Sequence, residues 1–168
     1  SVIYMEEKLD TGDIITRQAV PLHPDDTGGI VHDRLAELAP VVLKECVDGI
    51  AGGEVSRNPQ DDSQATYAPK LHRGDGEVDW NRSARFLERR IRAHDPWPGS
   101  FTSFNDGRGR ARRLKIFPGE RLLEETPNES PGELISVGSS GITVACGKGG
   151  IRFNEVQIEG GKRLPVPE

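Results

Sequence analysis

The sequence predicts two small units of different fold class, an α/β segment at the start of the chain and a β-rich unit with a leading helix at its end. Residues 1–53 contain two short apolar runs followed by apolar residues at helical spacing. Residues 54–75 are polar and rich in turn formers, which is typical of a linker. Residues 76–168 contain one helical pattern and then a series of short strand-like runs. Two strands followed by a helix are typical of the end of an α/β domain.

The α/β segment begins with the apolar run Ser1–Met5, whose β-branched residues favour a buried strand. A polar loop separates it from a second predicted strand over Ile14–Val20. Asp25-Asp26-Thr27 then offers N-cap side chains for a helix that continues to the glycines around residues 49–53. Pro40 either kinks this helix or starts a second one.

The C-terminal unit is predicted to open with a helix that Asn81 or Ser83 caps and that runs to about His94. The segment Asp95-Pro96-Trp97-Pro98-Gly99 then forces the chain out of helical conformation. A tryptophan between two prolines is stiff and bulky, and we interpret Trp97 as a packing anchor in preference to a platform for a base.

The remainder of this unit is predicted to be all β. Turn sequences at residues 105–107 and 147–150 are typical of hairpins. The strand-like runs are Ser100–Phe104, Arg113–Phe117, Glu133–Val137, Ile142–Cys146 and Ile151–Ile158. About five short strands in a unit of this size predict a small OB-like β-barrel.

The composition indicates more about the cellular compartment of the protein than about its function. The 168 residues carry a formal net charge of −5 and two cysteines, Cys46 and Cys146, too far apart in sequence for a disulfide framework or a metal knuckle. We therefore expect a reducing, cytoplasmic compartment and no metal. No run approaches the roughly 18 apolar residues that span a bilayer, so no membrane association is expected. Because Ser1 opens a strand-like run, we expect the chain to be a fragment.

Asp10 lies in the loop Leu9-Asp10-Thr11-Gly12-Asp13, between two predicted strands. Two carboxylates flanking a glycine are compatible with catalysis. They are more typical of an Asx-type turn, in which the Asp10 side chain bonds its own backbone. The residue types alone favour the turn.

Positive charge is concentrated in one window of the chain. Residues 70–115 hold twelve Lys/Arg against six Asp/Glu, whereas the rest of the chain holds ten against twenty-one. Two groups of arginines stand out, one at helical spacing (Arg82, Arg85, Arg89 and Arg92) and one around a predicted hairpin (Arg108, Arg110, Arg112 and Arg113). Guanidiniums arranged in this way suit phosphate oxygens, although a solvated helix face paired with Glu88 accounts for the first group equally well.

Several segments in order resemble one enzyme family. LDTGDII, VPL and DDTGG with HDRLAELAP resemble the folate-dependent formyltransferases. ATYAPKL, VDW and IRAHDPWPGSF then follow in the order typical of methionyl-tRNA formyltransferase. These segments cover most of residues 1–104, and beyond Phe104 only the strand pattern supports the resemblance. The resemblance implies a Rossmann-like catalytic domain ending over 1–53, a linker over 54–75 and an OB-like tRNA-binding domain over 76–168.

The resemblance also implies a reaction and a catalytic residue. The family transfers a formyl group from 10-formyltetrahydrofolate to the amine of methionine carried by initiator tRNA, in translation initiation. Its catalytic aspartate corresponds to Asp10, and its asparagine and histidine partners belong to an upstream segment that this sequence does not contain. We therefore expect the 168-residue chain to be inactive alone. The folate-binding residues are expected mostly upstream as well, and the enzyme is expected to be a monomer.

In the family, the linker and the C-terminal domain form part of a positively charged channel for tRNA. The resemblance adds two linker residues, Lys70 and Arg73, to the arginine groups as predicted tRNA contacts. Two alternatives stay open: a formyltransferase acting on a nucleotide-linked aminosugar, which shares DPWPGSF, and a non-catalytic RNA-binding module. A formyltransferase of purine synthesis fits only about the first 40 residues.

Overall fold

The computed structural model describes residues 1–119, 121–123, 129–139 and 141–166. The chain divides into two compact units. Unit 1 comprises Ser1–Pro24 and Ile30–Lys70, and unit 2 comprises Asp25–Gly29 and Leu71–Glu168. Neither helix in the described residues is long and apolar enough to cross a membrane.

Unit 1 contains a two-stranded antiparallel sheet and most of a long helix. Strands β1 (Val2–Ile3) and β2 (Ile14–Thr16) pair with each other, and both are shorter than the sequence predicted. Helix α1 (Gly28–Gly52) runs through Pro40 as a single helix, so the alternative of a second helix starting there is wrong. The predicted order of strand, strand and helix is confirmed.

Helix α1 buries little of its apolar surface. Val42 and Cys46 are buried and lie four residues apart, so they share one face of the helix. Leu43, Val47 and Ile50 lie on a neighbouring stripe and stay about half exposed. The long polar stretch after α1 contains one 3₁₀ turn, Asp62–Gln64, which Asp61 caps through its side chain.

Unit 2 begins with a 3₁₀ turn at Arg73–Gly76 and helix α2 at Ala84–Ala93. The Ser83 hydroxyl caps α2 by accepting a hydrogen bond from the Phe86 amide, as its sequence position predicted. The strands that follow are β3 (Ser100–Asn105), β4 (Ala111–Ile116), β5 (Arg121–Leu123), β6 (Leu134–Gly138), β7 (Gly141–Ala145), β8 (Gly150–Phe153), β9 (Glu155–Ile158) and β10 (Arg163–Pro165).

These strands form two four-stranded antiparallel sheets instead of the single closed barrel that the sequence predicted. One sheet has the order β10-β9-β4-β3 and the other β5-β8-β7-β6, and among the described residues no ladder joins them into a closed ring. The predicted strand Ile151–Ile158 is in fact two strands that break at Asn154, and the chain passes there from one sheet to the other. The barrel prediction is therefore wrong in closure and right in the β-rich content of the unit.

The core of unit 2 lies between α2 and the strands. Leu87 and Ile91 from α2 and Ile151 and Phe153 from β8 are at most 2% exposed. The Trp80 ring packs edge-on against Phe153 at a centroid distance of 6.0 Å, and its indole N–H donates to the Thr102 hydroxyl at 3.0 Å. This core fixes the C-terminal end of α2 and the adjoining sheet, which carry the charged surface described next.

Candidate functional site

Asp10 lies in a tightly held loop of unit 1. Its backbone adopts φ = +57°, a left-handed conformation that aspartate tolerates better than most residues. The Gln60 side-chain amide donates to the Asp10 carbonyl at 2.8 Å and to the Gly12 carbonyl at 2.7 Å. A Cβ at Gly12 would lie 1.8 Å from the Tyr4 carbonyl oxygen, so the loop requires glycine there. The Asp10 carboxylate is thus held at an exposed position.

A polar cleft of about 750 Å³ adjoins this loop. Asp10 and Thr11 line it on one side, and Gln60, Asp61 and Tyr67 line it on another. The pKa of Asp61 is lowered, chiefly by its hydrogen bond to the Ser63 hydroxyl and then by that to Gln64. Amides and hydroxyls can orient a polar substrate, and a carboxylate can also accept a proton from it. No group of three His, Cys, Asp or Glu side chains in the described chain is placed to hold a metal ion.

The four arginines predicted to form one stripe differ in position. Arg82 precedes the cap residue Ser83 and is not in the helix; it forms an ion pair with Asp79 at 3.3 Å and lies over the Phe86 ring. Arg85 and Arg89 lie on the exposed face of α2 and form no ion pair with any described residue. These two remain open to an anionic partner.

Arg92 is turned toward the protein. Its side chain is 20% exposed and pairs with Glu88, which is 19% exposed, one helical turn earlier. It also donates to the Asp26 carbonyl at 2.8 Å. A guanidinium with these internal acceptors stabilises unit 2 and has few donors left for a ligand. Arg92 is therefore better suited to a structural role than the predicted stripe implies.

The hairpin between β3 and β4 presents its arginines in different directions. Asp106 Oδ2 accepts two hydrogen bonds from the Arg110 guanidinium, at 2.8 and 2.9 Å, and this contact, followed by the Arg110 and Arg108 backbone amides, lowers the Asp106 pKa. Arg108 is exposed at the turn and pairs with no described carboxylate. Arg112 and Arg113 are consecutive on β4, so their side chains extend to opposite faces of the sheet.

Besides the Arg82–Phe86 contact, three cation–aromatic contacts lie among the described residues of unit 2, and two of these three involve predicted tRNA-binding residues. Arg113 lies 4.2 Å from the centre of the Phe101 ring and 3.6 Å from the Glu159 carboxylate. Arg73 lies 5.8 Å from the centre of the Trp97 ring. Trp97 is 53% exposed, which differs from the packing anchor that the sequence predicted.

The third contact was not predicted. Arg163 on β10 lies 3.9 Å from the centre of the Phe117 ring. The sequence offered no signal for it, because Arg163 lies 46 positions from its aromatic partner and outside the basic window. Lys70, the remaining predicted residue, is exposed at the end of unit 1.

Comparison with known proteins assigns the chain to a family. Residues 70–168 match the family described as formyl transferase, C-terminal domain, and the chain belongs to that family. Several relatives that align over all or nearly all of this chain are methionyl-tRNA formyltransferases. That of Akkermansia muciniphila is 43% identical over 168 residues and that of Geobacter sulfurreducens is 39% identical over 168 residues. The resemblance predicted from the sequence is thereby confirmed.

The chain spans about half the length of the curated relatives it matches. It covers 53% of the Akkermansia muciniphila protein and 50% of the Geobacter sulfurreducens protein. A third relative, from Marinobacter nauticus, is 37% identical over 166 residues, which are 99% of this chain and 51% of that protein.

Solved structures support the fold independently. Crystal structures of HypX from Aquifex aeolicus superpose on 97% of this chain with a TM-score of 0.63 and 18% sequence identity, and the match covers 28–29% of HypX. One of these structures is a complex with tetrahydrofolic acid. At this identity the likeness concerns the fold of the chain.

Proposed function

We propose that this chain is part of a methionyl-tRNA formyltransferase, which moves a formyl group from 10-formyltetrahydrofolate to the amine of methionine on initiator tRNA. The observation that carries the proposal is 43% identity to such an enzyme over all 168 residues, across both units. In this proposal residues 1–53 end the catalytic domain, 54–75 form the linker and 76–168 form the tRNA-binding domain. The enzyme acts as a cytoplasmic monomer.

Asp10 is the catalytic residue that this chain contributes. The methionine amine attacks the formyl carbon, the bond from that carbon to the folate nitrogen breaks, and the amine loses a proton as the folate nitrogen gains one. An asparagine amide stabilises the oxyanion and a histidine moves the proton. Asp10 orients that histidine and favours its charged form. Its held, exposed carboxylate beside a polar cleft fits this role.

The isolated chain is expected to be inactive for a simple reason. Its sequence contains no Asn-x-His segment to supply the oxyanion donor and the proton carrier. We expect no measurable formylation when the 168-residue chain is incubated with 10-formyltetrahydrofolate and charged initiator tRNA. Robust formyl transfer in that assay contradicts the proposal that the oxyanion donor and the proton carrier are residues outside this sequence.

The tRNA-binding proposal divides the predicted cations by their partners. Lys70, Arg73, Arg85, Arg89, Arg108 and Arg112 form no ion pair with a described carboxylate and contact phosphates directly. Arg82, Arg92 and Arg110 are held by Asp79, Glu88 and Asp106 and contribute mainly to the positive field. The pair between Arg113 and Glu159 is longer, at 3.6 Å, and about half exposed, so Arg113 can exchange its carboxylate partner for a phosphate. These contacts position the tRNA backbone and do not read bases.

A salt series tests this division. The Arg85→Ala/Arg89→Ala variant is expected to bind initiator tRNA more weakly, with a log–log salt slope shallower by about 1 for each phosphate that the variant no longer binds. Arg82→Ala/Arg110→Ala removes the same charge from paired positions and serves as the matched control, with a smaller change in slope. Equal effects of the two double variants, or no effect of either, contradict the division.

A non-catalytic RNA-binding module remains the second candidate. The observation that favours it is the asymmetry between the units, because unit 2 has a continuous core and carries the cations whereas unit 1 buries little. A formylation assay on the longest natural form of this protein distinguishes the two candidates. Formylation that Asp10→Asn abolishes supports the enzyme, and absence of formylation supports the RNA-binding module.

A further inference from the structure

Unit 2 contains a cleft of about 500 Å³ that the catalytic proposal does not use. The turn after α2 forms one wall with Trp97, and strands β3 and β4 supply the floor with Phe101, Arg113 and Lys115. Phe101 and Lys115 are direct cross-strand partners in the β3–β4 ladder, so they lie side by side on one face of the sheet. Arg73 and Arg163 complete the cationic part of the lining.

The charge and chemistry of this cleft suit an anion with a flat ring. Four cations line it, Arg73, Arg113, Lys115 and Arg163, against the two carboxylates of Asp95 and Glu159, and Arg163 also forms an ion pair with Glu155. The ion pair between Arg113 and Glu159 is 3.6 Å long and both side chains are about half exposed, so a phosphate can compete for Arg113. Lys115 forms no ion pair with a described residue.

The aromatic surface distinguishes a nucleotide from a simple anion. Trp97 is 53% exposed and lies between Pro96 and Pro98, which restrict its backbone. An acidic peptide would engage the cations and leave this ring unused, whereas a nucleobase stacks on it and places its phosphate near the cations. Bases inside an RNA duplex cannot do so, because they are already stacked on their neighbours.

We propose that this cleft binds one unstacked nucleotide of RNA, with its base against the Trp97 ring and its phosphate at Lys115 and Arg113. The inference deepens the proposed function, on which it rests, because it adds a site for a single unpaired nucleotide to a surface proposed to bind tRNA backbone.

Arg73 can form the second wall of this site. Its guanidinium carbon lies 5.8 Å from the centre of the Trp97 ring. A base between the two needs about 7 Å, which is two van der Waals layers of about 3.5 Å. The exposed Arg73 side chain reaches this separation by moving about 1 Å, and the base then stacks on a ring on one side and a guanidinium on the other.

Tryptophan emission and the binding of labelled RNA test the site in the full 168-residue chain. The first probe is single-stranded hexauridylate, and the second is a stable blunt-ended RNA duplex compared at the same concentration of phosphate groups. Binding of the hexamer should quench Trp97 emission, while Trp80, partly buried and bonded to Thr102, reports little. Trp97→Phe should lose the quenching and keep binding, and Trp97→Ala should weaken hexamer binding about tenfold while leaving duplex binding unchanged.

A charge-matched pair of variants supplies the control. Lys115→Ala should weaken hexamer binding more than Lys162→Ala, which removes an equal charge from an exposed position outside the cleft. This pair keeps the test valid if circular dichroism shows that Trp97→Ala does not fold. Equal effects of the two lysine variants, or quenching that survives in Trp97→Phe, overturn the site.

A binding measurement with initiator tRNA distinguishes failure of the nucleotide site from failure of the proposed function. If wild-type chain binds the tRNA with salt dependence but the hexamer neither binds nor quenches, the nucleotide site is overturned and the proposed function stands. If the chain binds no tRNA at all, the proposed function and the site that rests on it both fail.

Discussion

The two units differ in how much of their own apolar surface they bury. Unit 2 has a continuous core in which α2 and strands of both sheets contribute side chains that are nearly inaccessible to water. In unit 1 the buried apolar residues that are described are Ile14, Val42 and Cys46. Because burial of apolar surface is the main favourable term in folding, unit 2 carries most of the stability of the chain. Helix α1 also has exposed apolar residues that the described part of unit 1 does not bury.

Truncation of leucine in each unit gives the largest expected contrast. Leu87 is 1% exposed in the core of unit 2, and Leu87→Ala should lower the free energy of unfolding by about 3 kcal/mol. Leu43 on α1 is 54% exposed, and Leu43→Ala should cost less than about 1 kcal/mol. Urea denaturation followed by circular dichroism measures both. Similar losses of stability in the two variants contradict the comparison.

Arginines on α2 sharpen the comparison within unit 2. Arg92→Ala leaves Glu88 without its partner in a site that is mostly shielded from water, and should cost about 1–2 kcal/mol. Arg89→Ala removes an exposed guanidinium with no described carboxylate partner and should change stability by less than about 0.5 kcal/mol. The same two variants should rank in the opposite order for the decrease in tRNA affinity. If the same variant shows both the larger loss of stability and the larger loss of tRNA affinity, the division into structural and tRNA-binding arginines is contradicted.

His94 gives unit 2 a smaller, pH-dependent contribution. Burial chiefly, and the Arg90 charge next, lower the His94 pKa, while Asp75 acts in the opposite direction. Because the unfolded chain binds the proton more readily, stability is complete above the unfolded pKa of about 6.5 and falls as pH drops toward the lowered folded pKa. The buried Nδ1 has no hydrogen-bond partner in the described structure.

Replacement of His94 tests this contribution. His94→Gln should flatten the dependence of the unfolding free energy on pH below about 6.5, measured by urea denaturation at each pH. An unchanged slope in the variant would assign the pH dependence to other groups, such as the carboxylates.

Local signals in the sequence predicted the local structure well. The cap at Ser83, the end of α2 at His94 and the hairpin turns depend on neighbouring residues, and the structure confirms them. Strand β10 was missed because three exposed residues that include Pro165 show no alternation. Strand β5 was missed because it too is only three residues long.

Non-local features could not be read in the same way. The two-sheet arrangement depends on a change of sheet at Asn154, within a run that looks continuous in sequence. The structural role of Arg92 depends on the Asp26 carbonyl, 66 positions away. Regular spacing of arginines therefore predicted the helical positions of Arg85, Arg89 and Arg92 but wrongly included Arg82, which precedes the cap of α2. The spacing also could not show which of these arginines already have partners within the fold.

The central claim, that unit 2 holds both the stable core and the tRNA-binding surface, is tested most directly by hydrogen exchange on the whole chain with and without initiator tRNA. Without tRNA, β7 and β8 should exchange most slowly and the unit 1 segments most quickly, since exchange follows local stability. With tRNA, added protection should concentrate in α2 and the β3–β4 hairpin. Slowest exchange in unit 1, or protection that avoids those elements, would contradict the account.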